Sequence, residues 1–307
     1  MEEIDNSKIK YLLYKIMLLL RKNRLTRNIY LLLDDLGIRI TLSKIFNYVN
    51  NKRLNKKVSY EMQQSRDYFR KHYDDINKIL SILNDVKSKK TYEQMISFRQ
   101  SFDNRTLPYN SYNKQYWFSD YFNYNNSEIM IDCGAFDGDS VRSFVKAMEG
   151  KHIKDYKIIA FEPDDENYKT LSRNYPDVIS MKIGVGENHG SKPFEMRNNL
   201  TSCIVNLQEK DFNNNIKYID IKRIDDVKEC QDATIIKMDI EGGEYEALLG
   251  AEKIIKRNKP KLAISIYHKD EDFIRIPLLI HEWVPEYKLY VMQHSNTICD
   301  TVLYATL

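Results

Sequence analysis

"IMIDCGAFDGDS" (residues 129–140) has the pattern of a buried strand followed by a glycine-bearing turn and the first residues of a helix. Asp132, Asp137 and Asp139 surround the two glycines of this turn. We expect Asp139 or Ser140 to cap the helix, because their side-chain oxygens can accept hydrogen bonds from its first N–H groups. In an open parallel sheet, the turn after such a strand is a common ligand-binding position.

Predicted strands and helices alternate from residue 128 onward, which is typical of a parallel α/β sheet. One long amphipathic helix is predicted at 243–258, and the short stretches between residues 192 and 224 are typical of hairpins. The last two predicted strands, 287–294 and 300–307, are expected to pair antiparallel. Four further buried strands are expected at 157–163, 178–185, 234–240 and 261–268.

The first part of the chain, residues 1–126, lacks strand-like alternation and is predicted to be a helical region ahead of an α/β domain at 127–307. Within it, the polar, aromatic and Asn-rich residues from 103 onward are expected to form an irregular connection. Amphipathic stretches predict helices at 8–22, 26–37 and 91–102, and one long helix or two shorter ones at 59–85.

The composition is that of a water-soluble globular protein, with 42% hydrophobic and 30% charged residues. The most apolar early run, residues 11–20, is interrupted by Lys15 and is too short to span a bilayer, so no membrane span is expected. Acidic residues precede that run and no small-residue cleavage site follows it, so a signal peptide is not expected. Scattered cysteines favour reduced thiols over a zinc site or disulfides, and we expect a cytoplasmic protein.

Charge is distributed unevenly along the chain. Residues 1–126 contain 23 Lys and Arg against 13 Asp and Glu (+10), whereas residues 127–307 contain 24 against 31 (−7), and the two parts add to the net charge of +3. A basic front part could face an acidic partner, a nucleotide-bearing substrate or an anionic lipid surface. A solvated helical surface rich in Lys and Asn explains the same counts. The basic residues are spread out, so nucleic acid is not expected as a partner.

The glycine turn lacks the features of a phosphate-binding loop. In the dinucleotide-binding pattern G-x-G-x-x-G, Gly134 matches the first glycine, but Phe136 and Asp139 occupy the other two glycine positions. The second glycine of the turn, Gly138, does not fall on a glycine position of the pattern. The bulky ring of Phe136 would obstruct the close backbone approach of a pyrophosphate, and Asp137 and Asp139 would repel it. No G-x-x-x-x-G-K-[ST] sequence occurs, so a P-loop is excluded.

A ligand with a cationic centre fits this acidic turn better. S-adenosylmethionine (SAM) carries an ammonium and a sulfonium group and no phosphate, and its ribose has two hydroxyls that need an acceptor. Glu162, at the end of the second predicted strand, is placed to accept them, and its spacing from Asp132 leaves room for one crossover helix. Taken separately, the turn could be a tight connection with capping acids, and Glu162 could be a surface carboxylate. Together they predict a SAM site.

Six stretches, in this order, make the chain similar to the FkbM family of SAM-dependent methyltransferases. The D-x-E-G-x-E block of that family appears here as Asp239, Glu241, Gly242 and Glu244. KQYWFSDYF (114–122) is also similar to a segment ahead of the methyltransferase domain in one branch of the family. The six stretches are IDCGAFDGDS (131–140), AFEPDDENYKTL (160–171), IGVGENHGSKPF (183–194), RIDDV (223–227), IKMDIEGGEYEALLGA (236–251) and LAISIYHKDEDFIRIPLLI (262–280).

The resemblance implies a Rossmann-like sheet with helices on both faces, SAM as the cofactor, and methylation of hydroxyl groups, often on sugars or other small metabolites. We therefore expect O-methylation of a sugar or a related small precursor of a surface glycan. Tyr267, His268 and Lys269 follow the fifth predicted strand, where many relatives carry a glutamate, and this difference leaves the acceptor open. The expected cofactor-binding residues are Asp132, Gly134, Ala135, Phe136, Gly138, Asp139, Ser140, Glu162, Pro163, Gly184 and Asp239.

Methyl transfer to a hydroxyl needs an aligned acceptor oxygen and a group that removes its proton. The catalytic candidates are His268 as general base, with Asp239 and Glu241 beside it. A histidine suits this role because its ordinary pKa is about 6.5, although His268 could also be a structural residue at a strand end. Glu241 could instead cap the helix expected from Gly242. Asp239 and Glu241 could also hold a divalent ion with the acceptor, but no metal site is assigned.

Other functions stay open at this point. An N-methyltransferase would act on an amino group of a similar precursor, and a non-catalytic SAM-binding or nucleic-acid-binding protein would use the basic front part. The aromatic residues of KQYWFSDYF could close over the cofactor or bind a sugar face, or they could attach the helical region to the sheet. These aromatic residues are Tyr116, Trp117, Phe118 and Tyr121.

Overall fold

A computed structural model describes most of the chain from residue 55 onward. The helices predicted at 8–22 and 26–37 lie outside the described residues. Among the residues it describes, no helix has the length and apolar character needed to cross a membrane. The described ranges are 55–101, 103, 106–108, 115–118, 120–195, 203–204, 216–295 and 297–307.

The chain divides into two compact units. The described part of the first unit comprises 55–71, 94–101, 103, 106–108 and 297–298, and the second unit contains the other described residues. The second unit therefore takes in residues 72–93, which the sequence analysis assigned to the helical front region. The boundary predicted at residues 126 and 127 stays a prediction.

Three helices occupy residues 55–101: α1 (Asn55–Lys71), α2 (Tyr73–Ile82) and α3 (Val86–Ser101). Of the two possibilities predicted for residues 59–85, the structure has two shorter helices: α1 ends at Lys71 and α2 begins at Tyr73, with His72 between them. In the first unit, Arg66 of α1 donates to the Gln100 carbonyl of α3 at 2.6 Å. Asp85 stabilises the start of α3, because its carboxylate accepts a hydrogen bond from Ser88 N at 2.6 Å.

The second unit is built on a seven-stranded mixed sheet among the described residues, in the order β10-β11-β9-β8-β1-β2-β3. A smaller sheet has the order β4-β7-β5-β6. The expected antiparallel pairing of the last two strands, β10 and β11, is confirmed. The strands are β1 (Ser127–Cys133), β2 (Asp155–Phe161), β3 (Ile179–Met181), β4 (Gly184–Val185), β5 (Gly190–Glu195), β6 (Cys203–Ile204), β7 (Ile216–Lys222), β8 (Ile235–Met238), β9 (Lys261–Ser265), β10 (Lys288–Gln293) and β11 (Thr301–Thr306).

Helices surround the large sheet, so the predicted α/β class is confirmed. α6, α7 and α8 pack together and α2 packs against α8, whereas α4 packs against the aromatic segment Tyr116–Phe118. Strands β8, β9 and β11 are buried along their whole length, as expected for central strands covered by helices. These helices are α4 (Asp139–Gly150), α5 (Asp165–Asn174), α6 (Glu244–Leu249), α7 (Glu252–Asn258) and α8 (Asp272–Trp283).

The strand order reverses at β1, which lies between β2 and β8 and is parallel to both. The next strand, β9, is parallel to β8. The carboxyl ends of these four strands therefore meet at one edge of the sheet, and this switch point is where open α/β sheets bind ligands. The first, fourth and fifth strands of the sequence analysis thus correspond to the neighbours β1, β8 and β9.

Two predicted elements are wrong because each is divided in the structure. The strand expected at 178–185 separates into β3 in the large sheet and β4 in the small one. The single helix expected at 243–258 ends at Leu249 and resumes at Glu252 as α7. At the break, a Cβ on Gly250 would lie 2.1 Å from the Gly186 carbonyl oxygen. Asp225 holds the start of α7, since its carboxylate accepts hydrogen bonds from Lys253 N and Ile254 N.

The close approach of Gly250 to Gly186 predicts a large cost for one added methyl group. We expect Gly250→Ala to lower the free energy of unfolding by about 1–3 kcal/mol, because backbone has to move to relieve the clash. Gly150→Ala is the matched control, since a Cβ there meets no atom within 4 Å. Urea denaturation should show the control as stable as the wild type or slightly more stable. Equal stability of the two variants would contradict this interpretation.

Candidate active site

The turn after β1 is held close to the end of β8. Gly134 has φ +78°, and a Cβ on it would lie 2.0 Å from the carbonyl oxygen of Asp239. Gly134 N and Ala135 N both donate to the Phe161 carbonyl at the end of β2, at 3.0 and 3.2 Å. The turn thus joins three strand ends, and only glycine fits its first position.

The start of α4 differs from the prediction. Its N-cap residue is Gly138 (φ +91°), whereas Asp139 and Ser140 are the first two residues of the helix itself. A Cβ on Gly138 would lie 2.3 Å from the ring of Tyr175, so the close packing of this ring requires glycine. Asp139 accepts a hydrogen bond from Ser140 N at 2.7 Å, and the Ser140 hydroxyl donates to Asp132 at 2.5 Å.

Asp132 lies beneath the turn as half of a buried ion pair. Its carboxylate is 2.9 Å from Lys237 Nζ, and the exposed fractions of the two side chains are 0% and 3%. Burial alone would lower the pKa of Lys237, but the nearby carboxylates, Asp132 first among them, together outweigh it and raise that pKa. Lys237 also donates to the carbonyls of Cys133 and Gly134. This placement gives Asp132 a supporting role, and its direct contact with a cofactor stays a prediction.

Glu162 follows β2 and lies beside the turn. Its two carboxylate oxygens accept hydrogen bonds from Phe136 N at 2.8 Å and Asp164 N at 2.9 Å. Burial raises the pKa of Glu162 to about 7, although both backbone hydrogen bonds oppose the shift. The neighbouring Pro163 is partly exposed, and Asp164 caps α5 through hydrogen bonds from Glu166 N and Asn167 N. The carboxylate therefore sits at the carboxyl edge of the sheet, where the sequence placed it.

Gly184 belongs to the small sheet, where it pairs with Ile221. A Cβ on it would lie 2.6 Å from the Ile221 side chain, so packing within this sheet accounts for the glycine. Ala135 is fully buried in the turn. The structure thus brings Gly134, Phe136, Glu162 and Asp239 together at the switch point, whereas the predicted cofactor contact of Gly184 has no further support.

Asp239 follows β8 and accepts hydrogen bonds from two tyrosines. Tyr116 OH donates to Asp239 Oδ2 at 2.8 Å, and Tyr267 OH donates to Asp239 Oδ1 at 3.1 Å. Burial, followed by the negative charge of Asp239, raises the pKa of both phenols, so both stay protonated and donate. The sequence analysis named Tyr267 only as part of the stretch Tyr267–Lys269 and assigned no role to it.

His268 is surrounded by three carboxylates. Its Nε2 lies 3.5 Å from Asp239 Oδ1 and 3.5 Å from Glu241 Oε2, and its Nδ1 lies 3.0 Å from Glu244 Oε1. Burial alone would lower the pKa of His268, but the three carboxylates, with Glu244 first among them, together outweigh it and raise the pKa to about 9. His268 therefore carries a proton at neutral pH in these surroundings, and its pKa differs from the ordinary value on which its predicted role as a base depended.

Glu244 is the residue of this group that the sequence analysis named only as part of a motif. It is fully buried at the start of α6 and accepts a hydrogen bond from Ile240 N at 2.8 Å. The helix begins at Glu244 with Gly243 as its N-cap, so a helix starting from Gly242 with Glu241 as its cap is wrong. Glu241 instead has φ +57°, which turns the chain between β8 and α6.

The aromatic segment before β1 attaches to the sheet and to α4, whereas its predicted contact with a cofactor or a sugar stays a prediction. Trp117 is fully buried, packs edge-on against Phe144 and donates to the Ser140 carbonyl at 2.9 Å. Tyr121 stacks on Tyr290 with ring centroids 3.9 Å apart. These two rings attach the segment to the sheet and α4, whereas Tyr116 reaches Asp239. The side chain of Phe118 lies outside the described residues.

Residues 132–288, just over half of the chain, match the sequence profile of the FkbM methyltransferase domain. The chain belongs to the FkbM methyltransferase family. The predicted family is therefore confirmed, and the cofactor of its methyltransferase domain is SAM. The geometry fits this cofactor, since a buried carboxylate at the end of β2 and a glycine turn without a phosphate-binding pattern lie at the switch point.

A solved structure of an FkbM methyltransferase agrees with the assignment. A crystal structure of the methyltransferase FkbM from Methylobacillus flagellatus matches with a TM-score of 0.66 and 26% identity, over 78% of this chain and 60% of that one. The chain thus spans less than two thirds of that protein. Fibrillarin from Aeropyrum pernix, solved with bound SAM, matches with a TM-score of 0.34 and 10% identity, over 59% of this chain and 67% of that one. No curated protein sequence matches significantly.

The buried ion pair beneath the turn predicts a strong effect of removing one partner. We expect Lys237→Met to lower the free energy of unfolding by about 3–5 kcal/mol, because the Asp132 carboxylate would stay buried without its cation. Adding Asp132→Asn should restore part of that loss, since the double variant buries no unpaired charge. Urea denaturation of the wild type and both variants measures this. A Lys237→Met variant as stable as the wild type would show that the pair is not needed.

Proposed function

We propose that the protein transfers a methyl group from SAM to a hydroxyl group of a sugar or a related small precursor of a surface glycan. The observation that carries this proposal is the meeting of four strand ends, where Glu162 contacts the glycine turn, the turn contacts Asp239, and Asp239 lies beside His268. The side formed by the ends of β1 and β2 suits the cofactor, and the side formed by the ends of β8 and β9 suits a hydroxylated acceptor.

Glu162 is the proposed acceptor for the ribose hydroxyls. Each of its oxygens already accepts one backbone N–H, and an ionised carboxylate oxygen has a second lone pair for a further donor. The backbone bonds fix the carboxylate before the cofactor arrives, so little freedom is lost on binding. The bound cofactor supplies a methyl group attached to a positively charged sulfur.

Asp239 and Glu241 support a hydroxylated acceptor. Ionised carboxylates only accept hydrogen bonds, and the hydroxyls of a sugar can donate them. Tyr116 and Tyr267 hold both oxygens of Asp239, so its carboxylate is oriented before an acceptor binds. Asp239 therefore aligns the reacting hydroxyl in this proposal.

His268 is the proposed acceptor of the proton that leaves this hydroxyl. The ring lies within 3.5 Å of Asp239 and is almost fully buried, so it stands beside the group that orients the acceptor. At neutral pH the ring already carries a proton, which its three carboxylate neighbours stabilise. It must release this proton before it can accept the one from the hydroxyl. The alternative of an N-methyltransferase differs in the acceptor atom alone, and labelled methyl donor with mass spectrometry of the product distinguishes the two.

Cofactor binding should depend on the ionisation of Glu162. The pKa of this carboxyl is raised to about 7, so it is protonated, and loses acceptor capacity, as the pH falls through that value. We expect the affinity for S-adenosylhomocysteine to fall about tenfold between about pH 8 and about pH 6 in calorimetry. Glu162→Gln should weaken binding at pH 8 by about 1.5–3 kcal/mol and abolish the pH dependence.

Glu166→Gln is the matched control for this experiment. Glu166 lies on α5 in an exposed ion pair with Lys169, so its loss should leave both the affinity and its pH dependence unchanged. If Glu162→Gln binds as the wild type does at both pH values, Glu162 does not contact the cofactor.

His268→Ala should separate turnover from cofactor binding. We expect a loss of roughly 10²–10⁴-fold in turnover, because the proton acceptor beside the reacting hydroxyl is removed. Affinity for S-adenosylhomocysteine should barely change, since Glu162 and the glycine turn are intact. His189→Ala is the control, because His189 forms an exposed pair with Asp226 at 2.8 Å. A His268→Ala enzyme that keeps most of its turnover would remove His268 from catalysis.

A further inference from the structure

Three side chains at the ends of β8 and β9 have the arrangement of a metal-binding group. Asp239, Glu244 and His268 each offer one ligand atom, and these atoms all lie within 4.8 Å of one another. Donor atoms that each lie about 2.1 Å from one ion are separated by about 3–4 Å, so small side-chain movements would bring all three to a shared ion. Asp239 follows β8, Glu244 begins the helix α6, and His268 follows β9, so all three lie on the proposed acceptor side.

His268 distinguishes this group from an ordinary acidic cluster. Its side chain is only 9% exposed and its Nε2 points at two carboxylates, 3.5 Å from Asp239 Oδ1 and from Glu241 Oε2. Among the described residues, neither ring nitrogen makes a hydrogen bond of acceptable geometry. The 3.0 Å approach of Nδ1 to Glu244 is therefore a poorly aligned ion pair. A buried imidazole without a hydrogen bond is rare unless something else occupies a nitrogen.

Glu244 gives a second indication of a cation site. Its side chain is fully buried, and its Oε2 has no hydrogen-bond partner among the described residues, whereas Oε1 accepts from Ile240 N. A buried carboxylate oxygen that lacks a partner is costly. An ion beside Glu244 would compensate that cost.

The nearby lysines are engaged elsewhere. Lys237 forms its close ion pair with Asp132, and Lys269 donates to the Gly242 carbonyl. The carboxylates of Asp239, Glu241 and Glu244 all lie within 3.5 Å of the His268 imidazole. A divalent cation would neutralise more of this negative charge than one proton on His268 does.

We propose that Asp239, Glu244 and His268 bind a divalent first-row transition-metal ion at the acceptor side of the site. The inference rests on the proposed function, because the ion would bind the acceptor oxygen and help its hydroxyl to lose a proton to solvent. One imidazole with two carboxylates suits Mn²⁺ or a similar ion, whereas Mg²⁺ prefers oxygen ligands and retained water. In this arrangement His268 orients the ion as a ligand in place of acting as the base.

Mn²⁺ binding to the full chain tests this site directly. Protein treated with a chelator and then freed of it is titrated with MnCl₂, and the free ion is followed by electron paramagnetic resonance. We expect saturable binding of one ion per chain, weakened at least tenfold in Asp239→Asn and in His268→Ala. Glu244→Gln keeps the shape of the buried side chain and should weaken binding to a similar degree. Circular dichroism melting identifies any variant that does not fold.

His189→Ala is the matched control, because His189 is also paired with an aspartate but is exposed on the surface. It should bind Mn²⁺ as the wild type does. No saturable binding by the wild type, or equal binding by the wild type and the folded Asp239→Asn and His268→Ala variants, would overturn the metal site. A parallel titration with S-adenosylhomocysteine separates the two proposals, since cofactor binding without Mn²⁺ binding rejects only the metal. Failure to bind S-adenosylhomocysteine would reject the proposed function.

Discussion

Lys237 at the end of β8 lies 2.9 Å from Asp132 at the end of β1, and both side chains are almost completely buried. Because Lys237 also donates to the Gly134 carbonyl, one ammonium group joins the two central strands and the turn that follows them. The same turn contacts the Asp239 backbone so closely that only glycine fits at position 134. The proposed cofactor side and the proposed acceptor side of the site are therefore positioned by one set of buried contacts.

Tyr116 connects the site to the segment that precedes the sheet. Its phenol donates to Asp239 and its backbone N–H donates to the Tyr304 hydroxyl of β11 at 2.8 Å. Tyr116 has φ +58°, a conformation that non-glycine residues rarely adopt and that persists only where surrounding contacts impose it. Burial of Trp117 next to it supplies such a contact. The segment before the first strand thus contributes to the proposed acceptor site as well as to packing.

The sequence predicted the sheet and the positions of Glu162, Asp239 and His268, because strand and helix periodicity and short motifs are local signals. It could not predict features that depend on contacts between distant residues. The break between α6 and α7 follows from the approach of Gly250 to Gly186, and no pattern within the helix indicates it. The high pKa of His268 likewise depends on buried Glu244, whose burial only the tertiary structure shows.

The most direct test of this account is a crystal structure of the protein with S-adenosylhomocysteine. We expect the product beyond the carboxyl ends of β1 and β2, with its ribose hydroxyls hydrogen-bonded to Glu162 and its sulfur facing the side of the site that contains Asp239. Such a complex would place the missing methyl group between the cofactor and the proposed acceptor position. A product bound elsewhere, or a ribose that does not contact Glu162, would contradict the account.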